Sequence, residues 1–162
     1  MGNLVALEEL LALRRQWRVE GLKVAFTNGV FDILHRGHVE YLQQARALSD
    51  LLVVGLNTDE SVRRLKGRER PLVPQEDRAV ILAALRCVDY VVYFEEDTPA
   101  NLIRAIQPDI LVKGADYKIE EIVGHEIVQA AGGRVERIPL TPGRATREVI
   151  ATILERFCKA HE

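Results

Sequence analysis

Short apolar runs alternate along the chain with segments whose apolar residues recur at helical spacing. Four runs are almost wholly apolar, at residues 24–26, 51–56, 88–94 and 110–112, and a fifth, at residues 135–138, has apolar residues at both ends. Such runs indicate strands buried on both faces of a parallel sheet. Helical patterns cover residues 4–17, 38–48, 74–85, 99–106, 119–131 and 146–157. The alternation predicts an α/β domain with a doubly wound, five-stranded parallel sheet and helices on both faces.

Polar, basic and glycine residues gather in the loops that follow the five predicted strands. These loops lie at residues 28–38, 57–70, 95–98, 113–117 and 141–147. The opposite connections, such as residues 48–50 and 106–109, are short and plain. Because ligands of such sheets bind beyond the carboxyl ends of the strands, we predict a single site at that edge.

Composition and charge limit the number of domains, the partners and the cellular compartment that we expect for the protein. The 162 residues predict one domain, 1–162, with an N-terminal helix within 1–20 and an α/β core at 23–157. A net charge of −2 argues against nucleic-acid or membrane-surface partners. Two distant cysteines favour a reducing compartment, and no run approaches the ~18 apolar residues of a membrane span. The first 20 residues do not resemble a signal peptide, so we expect a cytoplasmic protein.

The loop after the first predicted strand carries the strongest candidate chemistry. It reads TNGVFDILHRGH over residues 27–38, and neither a P-loop nor a GxGxxG fingerprint is present. Gly37 lets a ligand approach a helix start, whose free N–H groups favour anions. His35 and His38 could both point donors into that pocket, although two surface or capping histidines are an alternative. Without HExxH spacing or a nearby cysteine, we expect no metal held by the protein.

Three further loops supply candidate phosphate and hydroxyl contacts. Five positive charges lie within residues 63–70, where Lys66 before Gly67 is the better candidate and a solvated charged face is the alternative for the arginines. Arg78, in the following predicted helix, could reach the same space. Lys113 stands beside Gly114, Asp116 and Tyr117 in what looks like a loop that recognises hydroxyl groups, or it is a buried stem with an exposed head. Thr146 is either a helix N-cap or, with Arg144 and Arg147, a triphosphate contact.

The string at residues 27–38 resembles the signature of the nucleotidyltransferases that carry an HxGH motif. The resemblance implies a Rossmann-like fold of the cytidylyltransferase type, with His35, Gly37 and His38 on the nucleotide phosphates. It also implies that the backbone at residues 30–31 lines the nucleotide, and Asp32 is either structural or ligand-binding. The predicted nucleotide-binding residues are Thr27, Asn28, Val30, Phe31, His35, Gly37, His38, Arg144, Thr146 and Arg147. The predicted substrate-binding residues are Asp32, Lys66, Arg78, Lys113, Gly114, Asp116 and Tyr117, and the predicted catalytic residues are His35, His38 and Lys66.

Further segments look like one branch of that superfamily, the adenylyltransferase domain of the bifunctional heptose-phosphate enzymes. They lie at residues 64–67, 70–78, 88–92, 94–99, 108–117 and 132–133, and the likeness covers about residues 4–154. The resemblance implies transfer of AMP from ATP to D-glycero-D-manno-heptose 1-phosphate, which makes ADP-heptose for lipopolysaccharide, with Mg²⁺ bound mainly through the nucleotide phosphates. It also suggests a homodimer and, without a kinase half, a stand-alone form. Ala145 departs from the pattern, because it takes a position where the family usually has a hydroxyl.

The expected chemistry is direct in-line attack of a sugar phosphate on the α-phosphorus of ATP. A phosphate monoester has a second pKa near ~6, so its oxygen is already ionised at neutral pH and no general base is required. Two alternatives remain open at this point. One is a nucleotidyltransferase acting on another phosphate ester, such as glycerol 3-phosphate or FMN, and the other is a non-catalytic nucleotide-binding domain.

Overall fold

Alternating residues of each central strand pack on opposite faces of one sheet, which explains why the strand runs are apolar throughout. The computed structural model describes residues 2–143 and 145–158. Its strands are β1 (Asn3–Leu4), β2 (Val24–Gly29), β3 (Leu51–Asn57), β4 (Tyr90–Phe94), β5 (Ile110–Gly114) and β6 (Arg134–Ile138). Its helices are α1 (Leu7–Val19), α2 (Arg36–Ala47), α3 (Asp59–Lys66), α4 (Gln75–Ala83), α5 (Ala100–Ile106), α6 (His125–Ala130) and α7 (Thr146–Phe157), with a 3₁₀ turn at Ile119–Glu121.

The strands form one parallel sheet in the order β1-β4-β3-β2-β5-β6. From β2 the chain runs outward through β3 and β4 on one side, and through β5 and β6 on the other. The order therefore reverses between β2 and β5, which is the switch point of a doubly wound sheet. The predicted α/β class and parallel sheet are confirmed, with six strands instead of five. The additional strand is β1, in which Asn3 pairs with Tyr90 and Leu4 with Val91.

Each face of the sheet has its own apolar core. On one face Ala25 of β2 packs in a cluster with residues of α2 and α4, such as Leu42 and Leu82. On the other face Phe26 packs in a cluster with residues of α1 and α5, such as Leu10. Within the described ranges, no helix is long and apolar enough to cross a membrane.

Three predicted elements differ from the structure at their boundaries or in kind. The predicted helix at residues 4–17 begins at Leu7, because Leu4 belongs to β1. The pattern at residues 119–131 is split by Gly124, whose φ is +91°, into the 3₁₀ turn and α6. The predicted loop at residues 57–70 contains α3, whose first turn is capped by the hydroxyl of Thr58 accepting from the Ser61 N–H at 3.3 Å.

Candidate active site

A cavity of about 300 Å³ opens at the carboxyl ends of β2 and β5, where the strand order reverses. Loops after these two strands, the first turn of α2, the connection after β6 and the start of α7 form its walls. It brings together most of the residues predicted from the sequence: Asn28, Val30, Phe31, His35, Gly37, His38, Lys113, Gly114, Asp116, Tyr117 and Thr146. The predicted edge of the sheet therefore carries the cavity.

The imidazoles of His35 and His38 lie stacked at the N-terminus of α2. Their ring centroids are 3.8 Å apart and their planes are inclined by 23°. His35 is the N-cap residue, with extended backbone and no hydrogen bond from its side chain to the helix. Both ring nitrogens of His35 and Nδ1 of His38 are buried without a hydrogen-bond partner among the described residues. Buried polar atoms are nearly always paired, and both histidines line the cavity, so these three unpaired ring nitrogens indicate a ligand-binding position.

Burial lowers the pKa of both histidines of the pair. Burial and, to a smaller extent, repulsion from the adjacent His35 lower the pKa of His38 to about 4. Burial also lowers the pKa of His35, although the Glu148 carboxylate acts in the opposite direction. A bound polyanion would favour the charged imidazolium and raise both pKa values. The pair lies beside the N–H groups at the N-terminus of α2, an arrangement that suits an anion.

Phe31 shapes the wall next to the histidines through an unusual backbone. Its φ is +48°, a conformation that non-glycine residues seldom adopt. Its ring lies 5.2 Å from the ring of His38. A Cβ on Gly29 would lie 3.0 Å from that ring, so a larger residue there would displace the ring by a few tenths of an ångström. The position of Phe31 therefore depends on the local sequence.

Lys113, at the end of β5, contributes a cation to the opposite wall. Its ammonium group donates a hydrogen bond to the side-chain oxygen of Asn28 on β2. Burial lowers the pKa of Lys113 to about 8, so it is still charged at pH 7. Its hydrogen-bond partners in the described part of the chain are oxygens of a neutral residue, which leaves the positive charge for an anionic ligand.

The loop after β5 turns sharply beside Lys113. A Cβ on Gly114 would collide with the carboxylate of Asp116, so this glycine lets the loop fold back on itself. Asp116 and Tyr117 are exposed and line the cavity rim. Carboxylate and phenol groups can hydrogen-bond the hydroxyls of a sugar.

Sequence reasoning did not single out Tyr41 and Leu140, which also line the cavity. Tyr41 follows His38 by three residues on α2, and helical spacing could have placed it on the same face. Its hydroxyl is 2.8 Å from the hydroxyl of Thr27. Thr27, predicted to bind nucleotide, is fully buried and does not line the cavity. Leu140 lies two residues beyond the end of β6, so its position gave a weaker signal in the sequence.

Two residues predicted to bind substrate are instead bonded to the protein. Arg78 donates hydrogen bonds to four oxygens of the protein: Val73 O at 2.9 Å, Val30 O at 2.7 Å, Asn57 O at 2.9 Å and Asp59 Oδ1 at 2.6 Å. Its side chain is 0% exposed. Through the Val30 carbonyl it fixes the loop that carries the histidines, so its placement is that of a positioning residue.

Asp32 fixes the same loop from the other direction. Its carboxylate accepts hydrogen bonds from the N–H groups of Leu72 and Val73, each at 2.8 Å, and from Arg70 at 2.5 Å. Burial alone would raise the pKa of Asp32, but these donors outweigh it and the pKa is lowered. Asp32 is thus an ionised group inside the protein, outside the cavity lining.

The remaining predicted residues lie away from the cavity. Lys66 is exposed at the end of α3, and Arg147 is exposed on α7. Neither lines the cavity. Thr146 does line it, but as the first residue of α7, and Ala145 takes the N-cap position that the alternative reading gave to Thr146. Arg144 lies outside the described residues.

The donor set of the cavity bears on how a metal ion could be held. Within residues 2–143 and 145–158, no three histidine, cysteine or carboxylate side chains are grouped to bind a metal. Asp116 is the one carboxylate among the described lining residues. Because Mg²⁺ is commonly held by one or two carboxylates together with substrate phosphates, this set fits an ion that arrives with the nucleotide.

Comparison with known proteins identifies close relatives. A family model described as cytidylyltransferase-like matches residues 26–149. The bifunctional protein HldE of Citrifermentans bemidjiense is 62% identical over 137 residues, which are 85% of this chain and 28% of that protein. HldE of Geobacter sulfurreducens is 54% identical over 155 residues, which are 96% of this chain and 31% of that protein. The chain thus spans less than a third of the length of these curated relatives.

Two solved structures are similar to this chain. The crystal structure of a lipopolysaccharide core biosynthesis protein from Thermoplasma volcanium is 30% identical, with a TM-score of 0.61, and covers 75% of this chain and 98% of that one. Pantoate-beta-alanine ligase from Francisella tularensis, at 15% identity and a TM-score of 0.62 over 90% of this chain and 69% of that one, shares the fold. Since the family model spans most of the chain and includes the histidine loop, the protein belongs to the cytidylyltransferase-like family and is a nucleotidyltransferase.

Proposed function

We propose that the protein transfers AMP from ATP to D-glycero-D-manno-heptose 1-phosphate, giving ADP-heptose and pyrophosphate. The observation that carries the proposal is the stacked pair His35–His38, which lines the same cavity as Lys113 and has three buried ring nitrogens without a partner among the described residues. The choice of sugar is supported by the branch-specific segments of the sequence and by the similarity to the lipopolysaccharide core biosynthesis protein from Thermoplasma volcanium.

In the proposed mechanism, an oxygen of the sugar phosphate attacks the α-phosphorus of ATP in line. One P–O bond forms as the bond to the pyrophosphate oxygen breaks, and no covalent intermediate with the protein arises. The attacking oxygen is ionised at neutral pH, since the second pKa of a phosphate monoester is near ~6. The protein therefore has no proton to remove, and its task is to hold two polyanions together and to stabilise charge on the α-phosphoryl oxygens.

Different residues of the cavity bind the two polyanions. The histidine pair and the first turn of α2 receive the nucleotide phosphates, and the backbone at residues 30–31 lines the nucleotide. Lys113 and the loop with Asp116 and Tyr117 receive the sugar phosphate and its hydroxyls. Mg²⁺, when bound with ATP, would add positive charge on the phosphate oxygens, and Asp116 is the residue that fits it as a ligand.

Lys66 enters the proposal as a mobile contact. It ends α3 at Gly67, whose φ of +95° turns the chain out of the helix. Its exposed side chain is long and flexible, and it would meet a substrate phosphate when the α3–α4 connection moves toward the cavity. Arg147, together with Arg144, would meet the far phosphates of the nucleotide. Homodimer formation is also part of the proposal, and sedimentation velocity of the purified chain tests it.

A panel of nucleotides and acceptors tests the reaction. ATP and CTP are each combined with heptose 1-phosphate, glycerol 3-phosphate and FMN, and pyrophosphate release is measured with Mg²⁺ present. The proposal predicts fastest release with ATP and heptose 1-phosphate. Fastest release with CTP and glycerol 3-phosphate, or with ATP and FMN, would assign a different acceptor. ATP binding without pyrophosphate release in any pair would favour a non-catalytic nucleotide-binding domain.

A further inference from the structure

A second polar cavity, of about 280 Å³, lies at the opposite edge of the sheet from the nucleotide site. Lys23 precedes β2, Asp109 precedes β5 and Gly133 precedes β6, so the cavity opens at the amino ends of these strands. Arg14 and Arg18 of α1 form its outer wall. The function proposed above uses none of these residues.

Arg14 has a buried donor group with nothing to bind. Its side chain is 5% exposed. Nε donates to Ile106 O at 3.2 Å, and Nη2 donates to Gln107 O and to Asp109 Oδ2, both at 2.9 Å. Nη1 is buried and has no hydrogen-bond partner among the described residues. A guanidinium group carries five N–H donors, and those of a buried arginine are normally satisfied, so Nη1 marks a position for an acceptor.

The charges around this cavity do not balance. Three cations line it, Arg14, Arg18 and Lys23, whereas Asp109 is the one carboxylate among the described lining residues. That carboxylate already accepts from Arg14, from Lys23 at 3.4 Å and from the Val24 N–H at 2.9 Å. Arg18 donates to the side-chain oxygen of Gln107 at 2.9 Å and has no carboxylate partner within the described residues. The lining therefore carries two more positive than negative charges.

We propose that this cavity binds a small phosphate-bearing anion. The Nη1 group of Arg14 would be the buried donor, and Arg18 and Lys23 would supply charge at the mouth. Arginine suits this role because its fixed fork of donors matches the oxygens of a phosphate. The anion is either free phosphate or the phosphate group of a small metabolite, since both present the same oxygens. The site is independent of the nucleotide cavity, because the two lie at opposite ends of the strands.

Amide NMR on the full chain tests the proposal. Inorganic phosphate is titrated at constant ionic strength with chloride as the balancing anion, and glycerol 3-phosphate is titrated in a second series. We expect saturable shifts of the Lys23 and Gly133 amides and of the Arg14 Nε–H group. The Gly37 amide, in the first turn of α2, reports binding at the nucleotide cavity separately. Tighter binding of the ester would identify a metabolite as the source of the phosphate, and equal or weaker binding would identify free phosphate.

Two substitutions on α1 make the test specific. Arg18→Ala removes one mouth cation without touching the buried Arg14, and we expect phosphate to bind at least about tenfold more weakly, the loss of one charge-assisted hydrogen bond. Arg15→Ala is the matched control, an exposed arginine on the same helix that does not line the cavity, and it should leave binding unchanged. The proposal is overturned if Lys23 and Gly133 show no saturable shift, or if both variants weaken binding equally. Shifts confined to Gly37 would also overturn it while leaving the proposed nucleotide site intact.

Discussion

Replacing Lys113 by methionine tests two effects of its buried charge. The charge lowers the stability of the folded protein, and it strengthens the binding of substrate phosphates. Lys113 holds an ammonium group in the wall of the nucleotide cavity, and the neutral residue Asn28 supplies its hydrogen bond. Methionine is unbranched and similar in length, so Lys113→Met removes the charge while filling most of the same space. We expect the variant to be more stable than the wild type at pH 7 and to bind substrate phosphates about 10–100-fold more weakly.

The size of the stability change follows from the pKa of Lys113. Burial lowers it from 10.5 to about 8, which corresponds to about 3 kcal/mol of destabilisation of the folded protein when the group is charged. Methionine removes that cost but leaves the Asn28 oxygen without its donor, a loss of about 1–2 kcal/mol. The expected net gain at pH 7 is therefore about 1–2 kcal/mol.

The stability difference between the wild type and Lys113→Met depends on pH. The folded state releases its proton near pH 8, whereas the unfolded chain keeps it until about pH 10.5. Between these values the unfolded state binds more protons, so the stability of the wild type rises with pH relative to the variant. The advantage of the variant should shrink above pH 8 and reverse toward pH 10.5, where only the lost hydrogen bond remains.

Urea unfolding at pH 7, 8, 9 and 10 measures this difference, and isothermal titration with ATP and with the sugar phosphate measures binding. Lys118→Met is the matched control, because Lys118 is exposed in the same loop, and its substitution should change stability by less than about 0.5 kcal/mol at every pH. A difference between Lys113→Met and the wild type that does not vary with pH would refute the argument that the ammonium group is desolvated.

The remaining predictions concern catalysis, the buried arginine and the loop after β5. His38→Ala should lower turnover by ~10²–10³ with the melting temperature nearly unchanged, and near-normal turnover would remove this side chain from catalysis. Arg78→Met should lower the free energy of unfolding in urea by about 3–5 kcal/mol, because it leaves buried oxygens and a carboxylate unpaired. Arg63→Met, at an exposed ion pair, should change it by less than about 1 kcal/mol, and equal losses would contradict the proposed positioning role. Gly114→Ala should raise KM for the sugar phosphate more than it lowers kcat, since the added methyl group displaces Asp116; an unchanged KM would show that this loop does not contact the acceptor.

The sheet could be predicted because its strands are buried on both faces. The apolar run at residues 51–56 matches β3 (Leu51–Asn57) to within one residue. The short strand β1 gave no such signal, because its two residues are exposed and only pairing with β4 makes them a strand. Tertiary contacts therefore determine this strand, which the local sequence pattern does not indicate.

The sequence contains an N-cap and charge pattern that predicts α3, although the prediction above made this segment a loop. Thr58 is a good N-cap residue, and acidic residues 59 and 60 precede basic residues 63, 64 and 66, as the helix dipole favours. The concentration of positive charge suggested a phosphate-binding loop instead. The capping pattern was the better guide to structure.

The candidate site was located from one motif, but the roles of its charged residues were not all readable. The string at residues 27–38 and the loop at residues 113–117 do meet in one cavity. Asp32 and Arg78 have the residue types of ligand contacts, yet their partners lie at distant positions in the sequence and belong to the protein. Whether a charge faces a ligand or a backbone group depends on the tertiary packing, which no local pattern records.

Nitrogen-15 NMR of the histidine side chains, with and without a non-hydrolysable ATP analogue, tests the central claim most directly. We expect the nitrogen-15 signals of the His35 and His38 rings to change on binding of the analogue, and the pKa of His38 to rise from about 4. His125, whose Nδ1 lies 2.9 Å from the Ile122 carbonyl on another part of the fold, should not respond. Saturating binding of the analogue with both ring signals of the pair unchanged would contradict the claim that these histidines hold the nucleotide phosphates.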